Sequence, residues 1–531
     1  MALNHPSLGK MRGRVSDDGQ TVQYRGIKYA RIPGRWQDPV LLDGPLNRSG
    51  DGKEFDASKH GPSCPQHPGG HAFDLSLVGE VELENENTET DEFECLNLVV
   101  TVPKGVKDED KLPVFVWVHG GGFSIGSSCW PQYDLEKFVK TSVDIGKPVI
   151  GVSINYRLGI FGFLASDELG LPGNYALKDQ ACAFQWVQKN IAGFGGDPNR
   201  ITAAGESAGG ICISTLLLVT TPPLFNQAMI MSGESTLRKA RRPKWQNNHY
   251  NTNTKLLGLE NLTSEERRRA LYEMSAEEMV KKLPMFQNWS PCLDGEFIRE
   301  EVDLGMLSEK GGTTGRPEWC ERVLIGDVEQ DGTVLKARIM DNPDIMTRLH
   351  NSLAASLSAE EGKQLLDSYG LSGTLTPEKQ YAGLQQLSSD LRFYFPVLKT
   401  VEGWERENCF RYHFHQQNIV TGPFKNLSSH ELDVAYLLQN FPILNTQPEH
   451  DRLGKEMAAI WIKFTYGNGW DKEDGEKEVL VIGPDEKMSW WSERGYDERF
   501  REGRGGMLVR MGWERVCMVG EMVQGVWEER D

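Results

Sequence analysis

Apolar positions along this chain fall into short runs separated by longer polar stretches. Residues 113–120 (PVFVWVHG), 147–156 (KPVIGVSINY), 200–207 (RITAAGES), 226–233 (NQAMIMSG), 322–327 (RVLIGD) and 409–415 (CFRYHFH) are rich in Val, Ile and aromatics. Gly or Asn often follows them, which predicts strands. Several are almost continuously apolar, as suits strands buried on both faces of a mostly parallel sheet. Between them lie helical patterns such as 175–190 (YALKDQACAFQWVQKN). Strand–helix alternation of this kind predicts an α/β fold. Residues 11–31 read as small antiparallel strands ahead of the sheet. Residues 236–320 and 335–405 are charged and helix-prone, and are expected to decorate the sheet as insertions in a single domain spanning 1–531.

The sharpest chemical signal lies where a strand pattern meets a helix pattern. Gly205-Glu206-Ser207-Ala208-Gly209 is a G-x-S-x-G between the apolar run ending at 204 and the helix candidate ICISTLLLV. That context is what a nucleophile elbow needs. The turn is tight enough for side chains two residues either side of Ser207 to clash, and Gly205 and Gly209 remove them. A serine nucleophile also needs donors for the developing oxyanion. The run HGGGF (119–123) closes an earlier strand, and its glycines let backbone N–H groups face a cavity. Gly121, Gly122 and Ala208 are the expected oxyanion donors, and His119 a positioning residue. A phosphate loop would require G-K-[ST] after the glycines, and none follows.

Eleven histidines leave the general base open by spacing alone. The chain order Ser, acid, His places the acid after the 322–327 strand and the histidine after the 409–415 strand. The candidate acids are Asp327, Glu329 and Asp331. Among the histidines, His413 and His415 lie inside the strand, whereas His430 lies on the loop beyond it.

Composition narrows the class further. Apolar residues are 39% and charged residues 25%, which excludes wholesale disorder, collagen and coiled coil. A net charge of −18 argues against a nucleic-acid partner and, weakly, against anionic substrates. No apolar run is long enough for a membrane span. The N-terminal MALNHPSLGKMRGRV lacks the apolar core of a signal peptide. A cytoplasmic location is therefore expected, or a secreted one if a signal has been removed. Nine scattered cysteines show no zinc spacing, and no metal or cofactor is expected. Residues 79–94 carry eight acids and read as a solvated loop.

Together these positions resemble the type-B carboxylesterase family, which includes cholinesterases and fungal lipases. The resemblance covers roughly residues 10–470 and is most specific over GNYALKDQACAFQWVQKNIAGFGGDPNRITAAGESAGG. LFNQAMIMSG and SPCLDGEFI are also similar, and WCERVLIGD and SSHELDVAYLLQNF resemble fungal intracellular-type members. The resemblance implies an α/β-hydrolase fold, a large mostly parallel sheet flanked by helices, with helical insertions around a gorge. It maps the triad acid to Asp331, before Gly332, and the triad histidine to His430, in an H-x-x-[DE] run. It also implies supporting roles for Glu206 and Ser232, and a Cys64–Cys95 disulfide in an oxidising compartment. The cholinesterase loop that carries a choline-binding Trp has none here between Cys64 and Cys95. The expected activity is hydrolysis of small or medium uncharged esters through an acyl-enzyme, with an ester as the small-molecule partner. The oligomeric state is open. Two alternatives stand beside this reading. One is a lipase with FDLSLVG as a short lid helix; the other is a catalytically inert scaffold of the same fold.

Overall fold

A computed structural model describes residues 1–46, 54–469 and 479–527. Among these residues the main sheet has thirteen strands. In chain order they are β1 (Ala2–His5), β2 (Gly9–Val15), β3 (Thr21–Lys28), β4 (Phe55–Ala57), β5 (Asn97–Pro103), β6 (Leu112–Val118) and β7 (Ile150–Ile154). There follow β8 (Gly196–Glu206), β9 (Gln227–Met231), β10 (Arg322–Val328), β11 (Cys409–Phe414), β12 (Val479–Ile482) and β13 (Met488–Trp491). The spatial order is β1-β2-β3-β5-β7-β6-β8-β9-β10-β11-β12-β13, with β4 beside β2. From β7 through β12 every pairing is parallel. Antiparallel strands flank that run on both sides.

The apolar runs work as two-faced strands. Along β6, Val114, Val116 and Val118 pack into one core and Phe115 and Trp117 into a second. Alternate residues of a strand point to opposite faces, so a run apolar at every position needs cover on both sides. Helix Tyr175–Asn190 spans the segment its periodicity predicts and packs in the first core through Leu177, Phe184 and Val187. Helix Pro448–Thr465 packs in the second through Leu453, Met457 and Trp461.

The charged segment after β9 contains helices Pro243–Leu256, Ser264–Glu273 and Ala276–Lys282. The segment after β10 contains Ile345–Ser356, Ala359–Ser368 and Pro377–Ser389. Capping boxes at Thr263–Glu266 and Ser358–Glu361 start two of these, satisfying first-turn N–H groups that would otherwise lack partners.

One expectation needs correction. The acidic stretch 79–94 is not simply solvated, because Glu92 is buried and pairs with buried Arg35 at 2.5 Å. Cys64 and Cys95 are buried free thiols, the state expected outside an oxidising compartment. Cys64 Sγ accepts the Leu158 N–H at 3.2 Å, and the Cys95 thiol donates to Glu92 O at 3.5 Å. Among the described residues no helix is long and apolar enough to cross a membrane.

Candidate active site

Parallel strands send the loops at their C-terminal ends to one edge of the sheet. Gly121 and Gly122 follow β6, Ser207 follows β8, Asp331 follows β10, and His430 lies beyond β11. All but Asp331 line one cavity of about 150 Å³, together with Ala208. Asp331 stands behind His430, wholly buried.

Ser207 sits at the strand-to-helix turn with φ 52° and ψ −122°, a conformation L-residues rarely adopt. Its N–H donates to Met231 O on β9 at 2.9 Å, which ties the turn to the neighbouring strand. The flanking glycines are required sterically. A Cβ at Gly209 would lie 2.0 Å from Val118 O, and one at Gly205 2.7 Å from the Gly209 carbonyl carbon. Glycine is needed for contact with β6 as well as within the turn. Ala208 opens helix Ala208–Leu216, so its N–H has no intrahelical acceptor. Gly121 (φ 98°) and Gly122 (φ 60°) are both left-handed, and a Cβ on Gly121 would lie 2.2 Å from Ile125 O.

His430 Nδ1 hydrogen-bonds Asp331 Oδ1 at 2.6 Å. The other Asp331 oxygen accepts from Val328 N–H at 2.8 Å and Ser232 Oγ at 3.0 Å. The His430 N–H donates to Thr333 Oγ1 at 3.0 Å, and the Phe393 ring lies edge-on to the imidazole. Burial raises the Asp331 carboxyl above its ordinary value, against the opposing hydrogen bond and charge of His430. The alternative acids lie elsewhere. Asp327 is buried against Arg501 and His413, and Glu329 lies 3.3 Å from His415 Nδ1. His119 is buried and stacked on Tyr156, and desolvation lowers it to about 4.

Glu206 lies against the candidate histidine. Its Oε1 lies 3.0 Å from His430 Nε2, yet neither atom has a hydrogen-bond partner. Burial pushes this carboxyl well up, and Glu431, Asp433, Asp331 and Asp74 push it further. Asp74 and Glu431 also line the cavity, and Tyr133 OH donates to both, at 2.8 and 3.3 Å. Two such carboxyls favour sharing one proton over both ionising.

The remaining wall was not legible as a site. Helix Gly70–Val78, anticipated as a short lid, supplies Phe73, Asp74 and Leu77. The segment after β9 supplies Arg238 and Phe286, and the segment after β10 supplies Val334 and Arg338. Phe73 and Phe286 touch, ring centroids 4.5 Å apart. Phe73, Asp74 and Leu77 lie in the FDLSLVG stretch that reads as a lid candidate, and Glu431 has a weak signal in its place next to His430; Arg238, Phe286, Val334 and Arg338 have none.

Comparison with known proteins shows the family. The family model described as "Carboxylesterase family" matches residues 3–485. Lipase 3 of Yarrowia lipolytica is 31% identical over 494 residues, covering 89% of this chain and 90% of that protein. The para-nitrobenzyl esterase of Bacillus subtilis is 28% identical, covering 86% and 88%. Mouse cholinesterase is 30% identical, covering 87% and 78%. A solved thermophilic PNB esterase superposes with a TM-score of 0.72 at 23% identity, over 96% of this chain and 99% of that one. The chain therefore belongs to the carboxylesterase family, as a serine carboxylic ester hydrolase of the α/β-hydrolase fold.

Proposed function

We propose that Ser207, His430 and Asp331 form the catalytic triad, acting on small or medium carboxylic esters through an acyl-enzyme. One observation carries the reading. Asp331 holds His430 through Nδ1 at 2.6 Å, which leaves Nε2, 3.0 Å from Glu206 Oε1, as the free ring nitrogen of a residue that lines the same cavity as Ser207. Nε2 is thus the nitrogen that accepts the Ser207 proton as Oγ attacks the ester carbonyl. Asp331 stabilises the imidazolium that results. The oxyanion is held by the N–H groups of Gly121, Gly122 and Ala208. His430 returns the proton to the leaving alcohol, and water then deacylates Ser207 by the same route.

Short-chain para-nitrophenyl esters should give a burst followed by steady turnover. Ser207→Ala should lose ~10⁵-fold or more in kcat with an unchanged melting curve. Near wild-type turnover in that variant would refute the assignment.

A lipase is the second reading. Helix Gly70–Val78 places Phe73 and Leu77 at the cavity, and Lipase 3 of Yarrowia lipolytica is similar along most of its length. A rate jump above the substrate's solubility limit would favour it. Organisation as one domain and a cytoplasmic location belong to the same proposal, to be tested by limited proteolysis and cell fractionation.

A further inference from the structure

The buried arginines of this protein are mostly paired with carboxylates. Arg157 meets Asp179 at 2.6 Å, Arg35 meets Glu92 at 2.5 Å, and Arg501 meets Asp390 and Asp327 at 2.8 and 3.0 Å. Arg238 and Arg338 differ. Both are half-buried and line the cavity beside Ser207. Their hydrogen-bond acceptors are neutral. Arg238 donates to Gln287 O at 3.4 Å and Trp289 O at 3.1 Å. Arg338 donates to the same Gln287 O at 3.3 Å and to the Asn288 side chain. Among the described residues neither has a carboxylate within ion-pair distance. One carbonyl therefore holds two guanidiniums close together, with no anion between them.

Their surroundings deepen the imbalance. Burial pulls Arg238 well below its ordinary range, and the nearby charges acting on it are all positive: Arg338, Arg392 and Arg241. Arg392 itself donates to Gln524 Oε1 and Leu237 O, both neutral. Desolvated like charges are costly unless a counter-ion joins them. The acidic residues of the same cavity, Asp74 and Glu431, are engaged with Tyr133.

We propose that this cavity accepts esters bearing a second, carboxylate group, anchored by Arg238 and Arg338 while the ester carbonyl lies at Ser207. The inference rests on the triad reading and changes its substrate class. The expectation of uncharged esters came from net charge and from a missing Trp; neither speaks to the local charge of this wall. A guanidinium fork matches a carboxylate in shape and charge, and two forks on one carbonyl leave N–H donors for a ligand.

The test uses the full chain and two matched ester pairs. Para-nitrophenyl hydrogen adipate against para-nitrophenyl hexanoate places the charge on the acyl side. Para-carboxyphenyl butanoate against para-carbamoylphenyl butanoate places it on the alcohol side. In at least one pair the anionic ester should have a kcat/KM ~10- to 100-fold above its neutral partner, as charge-assisted hydrogen bonds allow. The preference should weaken with salt. It should vanish in Arg238→Met/Arg338→Met and partly survive in Arg338→Lys, with labelling of Ser207 by an uncharged fluorophosphonate reporting that each variant is folded. Two results would overturn the proposal: no anionic preference in either pair, or a preference that persists in the double Met variant. If wild type neither turns over any ester nor labels at Ser207, the triad reading falls and takes this inference with it.

Discussion

One wall of the cavity comes from loops that leave the parallel strands, and the other from segments inserted between them. On the strand side the backbone is tightly determined. Ser207, Gly121, Gly122 and Glu431 all have positive φ, and the contacts of Gly205 and Gly209 leave no room for a Cβ. On the insertion side the wall consists of side chains, such as Phe286 and Arg338, carried on non-helical stretches of the two inserted segments. On the proposed reading, chemistry belongs to the wall where local sequence constrains geometry, and selectivity to the wall where distant segments meet. Substitutions on the two walls should therefore fail in different ways.

The largest effect on the strand side, after loss of the nucleophile itself, belongs to Asp331. Asp331→Asn keeps the shape but removes the acceptor that fixes the His430 tautomer, and kcat should fall ~10⁴-fold with Ser207 still in place. Turnover within tenfold of wild type would break the assignment. Ser232→Ala removes one of the two donors to Asp331 Oδ2. A loss of ~1–2 kcal/mol, or roughly tenfold in kcat/KM, is expected for neutral and charged esters alike. A loss confined to one substrate class would contradict its supporting role.

Phe286→Ala should behave in the opposite way. Opening the insertion wall should move the preferred acyl length upward and change kcat/KM for short esters by only ~10-fold or less. Fluorophosphonate labelling of Ser207 should persist. A uniform collapse across all esters would erase the distinction between the walls.

The last expected effect falls on stability and not on turnover, as a pH dependence. Asp433 is buried against Tyr412 OH at 2.7 Å, and burial raises its carboxyl to about 7. A carboxyl held protonated by folding binds more protons in the native than in the unfolded state. Its contribution is full below the unfolded pKa near 4 and is lost as pH rises through about 7. Wild type should therefore lose on the order of 2–4 kcal/mol from this group between pH 4 and 8. Melting curves of Asp433→Asn should show a shallower decline over the same range; an equally steep one would assign the loss to other groups.

Much of the strand side was legible because each feature is a local pattern with a steric or electronic reason. A Gly two residues either side of Ser207 and a Gly run ending β6 are such patterns, as is an acid just after β10. Helix Tyr175–Asn190 was legible from its periodicity. Strand β5, though NLVVTVP is apolar, went unpredicted, as did β12, β13 and the helices Glu493–Phe500, Arg504–Met511 and Trp513–Gln524. β12 and β13 have four residues each and two of the helices only eight, too few for periodicity to stand out. Arg501, from that C-terminal part, is wholly buried against Asp327 and Asp390, a pairing across more than a hundred residues that no local pattern encodes. Glu206 could be read as near the site from its place in the motif. Its approach to His430 depends on how the β11 loop folds back. Arg238, Phe286 and Arg338 lie in charged or mixed stretches, and their meeting at one cavity depends on two insertions closing over the sheet.

The most direct test is to map where an uncharged fluorophosphonate attaches to the folded full chain. A single adduct on the peptide carrying Ser207, lost on denaturation before labelling and strongly slowed in Asp331→Asn, is the predicted result. A folded wild type that stays unmodified, or carries its adduct on another residue, would contradict the triad.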